Sequence, residues 1–220
     1  MTVKPANRAG TLGRRNRKIL TMITAGVSAA GLALATPLSA WALSGVITEG
    51  DLDVIEVEAT ETSPHAWDVE LVGHDHVGDE EFDPADVTYQ IAAIDGVGYI
   101  GEDDLLSAGF AAGDPAFLAD LADSQVTFTI ASAARTGVTS GDGDVLIEGD
   151  QDHEIAIELD ADTYGTAGTE SFSLDGHVHP TWEFWGQGVY VLTFTVTADP
   201  ASGVTVEGLP ASVDVTVDVV

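Results

Sequence analysis

A chain of 220 residues with no cysteine, and with 37 acidic against seven basic residues, excludes disulfide stabilisation and thiol catalysis. So negative a surface repels nucleic acid and anionic lipid, so neither is a partner of the folded domain. The imbalance is uneven along the chain: Lys4, Arg8, Arg14, Arg15, Arg17 and Lys18 all precede the first acidic residue, and Arg135 is the only Lys or Arg after them.

Residues 1–42 read as a secretory signal peptide. The basic stretch is followed by the uncharged, apolar and small Ile19 to Ala35, then Pro37 and Ala40-Trp41-Ala42. Small residues at −3 and −1 place cleavage after Ala42, with Ala40 the close rival. A retained membrane anchor is the other reading, but the apolar core is short for a span of ~20 residues and Pro37 interrupts it. Arg14-Arg15 hints at twin-arginine export, yet Asn16-Arg17-Lys18 lacks the apolar pair expected next, so general secretion is the default. The remaining 43–220 read as a single domain, secreted or held at the cell surface. Their acidity suits a salty medium or solubility. A hydrophobic content of 45% in regular patterns argues against disorder.

The dominant period after the leader is two. Leu52 to Glu58 alternates apolar and acidic residues after the apolar pair Val54-Ile55. Trp67 to Leu71, Val126 to Ile130, Ile155 to Leu159, Tyr190 to Val196 and Val213 to Val219 alternate likewise. Such runs put one strand face on a core and the other in water. Their Val, Ile and Thr content, with Gly, Asp and Pro between them, predicts an all-β, antiparallel β-sandwich of Ig-like or jelly-roll-like type. Asp114-Pro115 before Ala116-Phe117-Leu118-Ala119-Asp120-Leu121 predicts an N-cap, a first-turn proline and a short helical crossover. Leu105 and Leu106 are assigned to a preceding helical turn, and Gly137 to Gly143 to a flexible tip.

Chemistry concentrates in two His-x-His pairs, His74-Asp75-His76 and His177-Val178-His179. Residues i and i+2 of an extended segment face the same side, so each pair presents two imidazoles to one point. Two pairs on neighbouring strands make a three- or four-ligand site, and neutral imidazole suits zinc, copper, iron or nickel better than calcium. Asp75 and Asp175 are candidates for orienting the rings. Solvated, inert histidines near strand ends are the plain alternative. His65 and His153 stand alone and are read as surface residues. The runs Asp142-Gly143-Asp144 and Asp150 to Glu154 do not fit calcium-loop spacing and are read as turns with at most weak calcium binding.

The segment Gly176-His-Val-His-Pro-Thr-Trp-Glu-Phe-Trp-Gly-Gln-Gly-Val-Tyr-Val-Leu-Thr-Phe-Thr-Val196 resembles the signature of the actinobacterial surface-anchored protein domain. Ile47 to Glu58 is similar to the opening strand of its larger choice-of-anchor M form, and Phe82 to Tyr89 to an internal Asp-Pro-Ala-Asp strand start. The resemblance spans Ile47 to Val196, with Asp95 to Thr169 matching only in rhythm. It implies a bacterial surface protein that handles a transition metal, zinc first, beside a metal ABC transporter and its solute-binding protein. It carries over His177 and His179 as ligands, and matches His74 to a family histidine. Where the family has another histidine this chain has Asp51, so either Asp51 ligates or His76 replaces the missing ring. Leu209-Pro210-Ala211-Ser212 is only superficially similar to the family's wall-sorting signal.

The expected function is a metal-binding protein, not an enzyme. Its site would draw on His74, His76, His177, His179 and Asp51. A structural or adhesive surface module without a functional metal site is the second reading.

Overall fold

The chain is known from a computed structural model that describes residues 45–101, 104–137, 140–149, 155–160 and 170–220. The expected signal peptide with its expected cleavage site, the Asp150 to Glu154 run with His153, and part of the Gly137 to Gly143 tip lie outside the described residues. In chain order the first strands are β1 (Gly45–Ile47), β2 (Gly50–Ser63), β3 (Ala66–Asp75), β4 (Glu80–Phe82), β5 (Val87–Ile91), β6 (Ala93–Ile94), β7 (Val97–Ile100) and β8 (Leu106–Ala111). The helix α1 (Pro115–Ala119) follows, then β9 (Leu121–Thr136), β10 (Val145–Glu148), β11 (Ala156–Leu159), β12 (Ser171–Leu174) and β13 (His177–Val178). The chain closes with β14 (Thr181–Trp185), β15 (Gly188–Pro200), β16 (Thr205–Glu207) and β17 (Ala211–Val219).

These strands form an all-β sandwich of three sheets. The first runs β1-β5-β17-β15-β9-β12, the second β11-β10-β14-β7-β6, and the third β13-β8-β2-β3-β16 with β4 also on β3. Alternation along the sequence becomes alternation of burial: every second residue of β15 from Gly188 to Val196 is buried. The pairing differs from a purely antiparallel arrangement, because β1–β5, β5–β17, β2–β8 and β3–β16 are parallel. A period of two reads the same in either direction, so strand polarity is invisible to it.

The expected helix forms where its cap and proline predict. Asp114 accepts from the Ala116 N–H at 2.6 Å, and α1 buries Phe117 and Leu118 while crossing from β8 to β9. The helical turn expected at Leu105-Leu106 is absent: Leu106 opens β8 and is buried, and Leu105 is exposed. Pairing of β8 with β2 supplies the backbone bonds that such a turn would have made.

The three sheets meet on Phe110. Its ring lies 5.4 Å from Phe128, 5.0 Å from Phe172 and 5.4 Å from Phe194 on the first sheet, and stacks at 5.4 Å on Trp182 of the second. Trp182 and Phe184 are buried and Trp185 is exposed, as their strand parity predicts. The Trp182 indole N–H donates to the Ala108 carbonyl at 3.0 Å, fixing β14 against β8. At the far end of the first sheet, the Arg135 guanidinium lies 5.2 Å from the Tyr190 ring centre and donates to the Ser140, Gly141 and Gln187 carbonyls.

Candidate metal centre

The outer face of the third sheet carries the site, and a β-bulge in β2 creates it. On one side Asp53 pairs with Gly109 and Ile55 with Phe110; on the other Asp53 pairs with His74 and Glu56 with Val72. One extra residue, Val54, is therefore accommodated in β2 against both neighbours. Leu52, Asp53, Val54 and Ile55 are all buried as a result, and the acidic parity moves from Asp51 and Asp53 to Glu56 and Glu58. Bulges re-aim side chains in this way. Here the bulge leaves Asp53, a carboxylate only 1% exposed, on the outer face.

The neighbouring strand β8 supplies the floor. Its inner residues Leu106, Ala108 and Phe110 enter the core, and its outer residues Ser107, Gly109 and Ala111 are small. His177 pairs with Ala111, so the chain of β13 runs on to bring His179 over Gly109. A β-carbon at Gly109 would stand 2.7 Å from Asp53 Oδ1 and 2.7 Å from His179 Nε2. No side chain fits there without displacing both. On the opposite flank, the His76 N–H donates to the Asp51 carbonyl at 2.9 Å, continuing the β2–β3 ladder by one residue.

Four side chains converge. His76 Nε2 lies 3.0 Å from Asp53 Oδ2, and His177 Nε2 lies 2.8 Å from Asp53 Oδ1. His179 Nε2 lies 2.8 Å from His177 Nε2 and 3.7 Å from Asp53 Oδ1. One ligand atom from each of Asp53, His76, His177 and His179 falls within 4.8 Å of all the others. In a tetrahedral shell with metal–nitrogen bonds of about 2.0–2.1 Å, ligand atoms stand about 3.3 Å apart. The observed separations bracket that edge, so the group fits a small four-coordinate ion after shifts of about 1 Å. Three imidazoles and one carboxylate give an N3O donor set without sulfur, suited to borderline divalent ions.

Supporting contacts orient the rings. His179 Nδ1 faces the Ser107 hydroxyl at 2.5 Å and Asp51 Oδ1 at 3.4 Å. With Nδ1 held as the N–H, Nε2 is left with its lone pair toward the group, as a metal-ligating histidine needs. The electrostatics are asymmetric. The Asp53 carboxylate bonded to His177 raises that imidazole's pKa above the ordinary value, outweighing burial. Burial lowers the pKa of His179, and the charge of His177 adds to the effect.

Of the residues expected at the site, His76, His177 and His179 come together. His74 and Asp51 stand outside the four-residue group. The bulge turns Asp53 into the position the carboxylate must occupy, whereas Asp51, one pair further along, is more than half exposed and reaches only the far nitrogen of His179. His74 faces Glu56, with Nδ1 3.2 Å from Oε2. Asp75 bonds its own turn at Val77 N–H, and Asp175 is exposed, so neither orients a ring. His65 is a surface residue as expected, 3.0 Å from Asp120, which also accepts from the Trp67 indole. Asp53, Ser107 and Gly109 escaped the sequence reading; the apolar pair Val54-Ile55 inside an alternating run was the available signal of the bulge.

Comparison with protein-family models, with curated proteins and with solved structures yields no match. Fold and site therefore define the class by themselves: an all-β sandwich with a buried carboxylate and three histidines arranged so that they could hold a metal ion.

Proposed function

We propose that this is an exported, surface-located binding protein that holds a transition-metal ion, zinc before others, at Asp53, His76, His177 and His179. The convergence of those four ligand atoms, from three separate strand segments, carries the reading. Zinc accepts an N3O tetrahedron without a redox or geometric demand. Copper(I) prefers thiolate and thioether, and the chain has no cysteine and its methionines, Met1 and Met22, lie in the leader. Calcium and magnesium prefer oxygen shells.

Binding and delivery suit the site better than catalysis. The His177 side chain is 47% exposed, so an acceptor protein can approach the ion from the solvent side. The clefts lined by Val69, Leu71, Thr193 and Val213, and by Ile94, Tyr99 and Leu105, include none of the four ligands. The resemblance to surface-anchored proteins that accompany metal ABC transporters supports a solute-binding protein as the recipient. Among the described residues, no helix is long and apolar enough to cross a membrane.

Zinc titration by calorimetry in high monovalent salt tests the reading, because salt screens the loose counterion atmosphere that so acidic a chain attracts. A tight site in the wild type that disappears in His177→Ala/His179→Ala, with the metal-free fold retained, is the expected result. Equal stoichiometry and affinity in both proteins would transfer the chain to the structural or adhesive class. N-terminal sequencing of secreted protein should return Leu43, and an intact Met1 on membrane-bound protein would contradict export by cleavage.

A further inference from the structure

The second sheet has an outer face that the metal centre does not use. Alternation along β14 buries Trp182 and Phe184 and turns Glu183 and Trp185 outward. Glu183 pairs with Tyr99 on β7, and Trp185 with Val97, so Tyr99 and Trp185 stand diagonally on one face. Among the described residues they are the exposed members of the Phe, Tyr and Trp set, at 36% and 48%. The Trp185 indole N–H donates to Glu183 at 3.2 Å, which ties the ring to its own strand.

The same face is acidic. Leu146 of β10 lies across from Glu183 on one side and from Glu158 of β11 on the other. Glu148 follows on β10 and is exposed, like Glu158. A hollow of about 480 Å³ opens here, lined by Trp185, Leu146, Glu148, Glu158, Asp142 and Asp144. No lysine or arginine is among the described residues that line it. An exposed aromatic pair rimmed by charge marks an interaction surface, and the sign of that charge calls for a cationic partner. A guanidinium meets both demands, because it stacks on an indole and pairs with carboxylates.

The face crosses four strands from Tyr99 to Glu158, β7, β14, β10 and β11. At ~4.8 Å between strands this is about 14 Å, the length of roughly four residues of extended chain and more than one small cation covers. A second copy of the protein is a poor occupant. After residue 18 its one Lys or Arg is Arg135, whose guanidinium already donates to the carbonyls of Ser140, Gly141 and Gln187.

We propose that this face docks an extended, arginine-bearing segment of a partner protein, with one guanidinium stacked on Trp185 and others facing the carboxylates of the hollow. Every second side chain of an extended segment faces the same side, so alternate arginines reach the face together. The contact is separate from the metal centre on the third sheet and does not depend on it.

Fluorescence anisotropy of a hexapeptide of alternating arginine and glycine, carrying an uncharged dye, tests this in ~0.15 M salt. The protein should bind it saturably, one to one. Trp185→Leu keeps apolar bulk and charge, and should weaken binding about 2–30-fold. Glu148→Gln/Glu158→Gln should weaken it at least about threefold more than Asp68→Asn/Glu207→Gln, which removes the same charge from exposed residues of the third sheet. Unchanged affinity in Trp185→Leu, or equal losses in the two charge variants, would reduce the binding to diffuse attraction and overturn the proposal. Absence of saturable binding would overturn it too. Equal affinity for arginine amide alone would assign the hollow to a small cation and overturn the docking as well. Should Trp185→Leu fail to fold, the two charge variants carry the test.

Discussion

Gly109 lies across the β2–β8 pairing from Asp53, so close that a methyl group there would meet both the Asp53 carboxylate and the His179 ring. Gly176, next to His177, has open space around its α-carbon. Gly109→Ala is therefore expected to weaken zinc binding about 10–100-fold and to destabilise the metal-free fold by about 1–3 kcal/mol. Gly176→Ala should change zinc affinity little. Calorimetry on the two variants checks the contrast, and equal affinities would show that the floor of the site is not close-packed.

The histidine pair predicts a pH optimum for the metal-free protein. His177 is raised by Asp53, so its contribution is complete below the ordinary histidine value of about 6.5 and is lost as pH rises through its folded pKa. His179 is lowered by burial, so its contribution is complete above about 6.5 and is lost as pH falls through its folded pKa. Together they favour the fold most near pH 6.5. NMR titration of the imidazole signals should find His177 above and His179 below the ordinary value, and Asp53→Asn should lower the His177 midpoint. Coincident midpoints in the wild type would contradict the assigned contacts.

Trp182 joins two sheets through its ring and its indole N–H. Trp182→Ala should cost about 3–5 kcal/mol, and Trp182→Phe about 1–3 kcal/mol because the buried Ala108 carbonyl loses its donor. Thermal melts of the metal-free proteins should rank wild type above Trp182→Phe above Trp182→Ala. A melting point within about 2 °C of wild type for the alanine variant would mean that the β14 register is different.

One arginine against 37 carboxylates leaves strong self-repulsion in the folded domain. Raising monovalent salt from low to high concentration should stabilise it by about 1–2 kcal/mol, roughly 3–8 °C in melting temperature. A scanning calorimeter reads this directly, and a flat response would assign the acidity to solubility alone.

Strand positions were legible because alternation survives in the burial of β15 and β17, and α1 because Asp114 and Pro115 are specific to a helix start. Three of the four candidate ligands were legible as His-x-His spacing. Asp53 was not, because it stands in a row of similar residues, Asp51, Asp53, Glu56 and Glu58. Only a bulge whose consequence depends on two neighbouring strands distinguishes it. The parallel partnership of β2 with β8 is likewise a property of distant pairing, so nothing local announces that Gly109 will face Asp53.

The separation of the ligands along the chain has a mechanical meaning. Asp53 and His177 stand 124 residues apart, so an ion between them closes most of the domain into a loop. Covalent closure of a loop of about 100 residues is worth up to about 4.7 kcal/mol in chain entropy. In a cysteine-free protein, such an ion would act as the cross-link that a disulfide provides elsewhere. Oxidants and reductants would leave that link alone. Acid and chelators would open it, so the durability of the protein would follow the metal content of its surroundings.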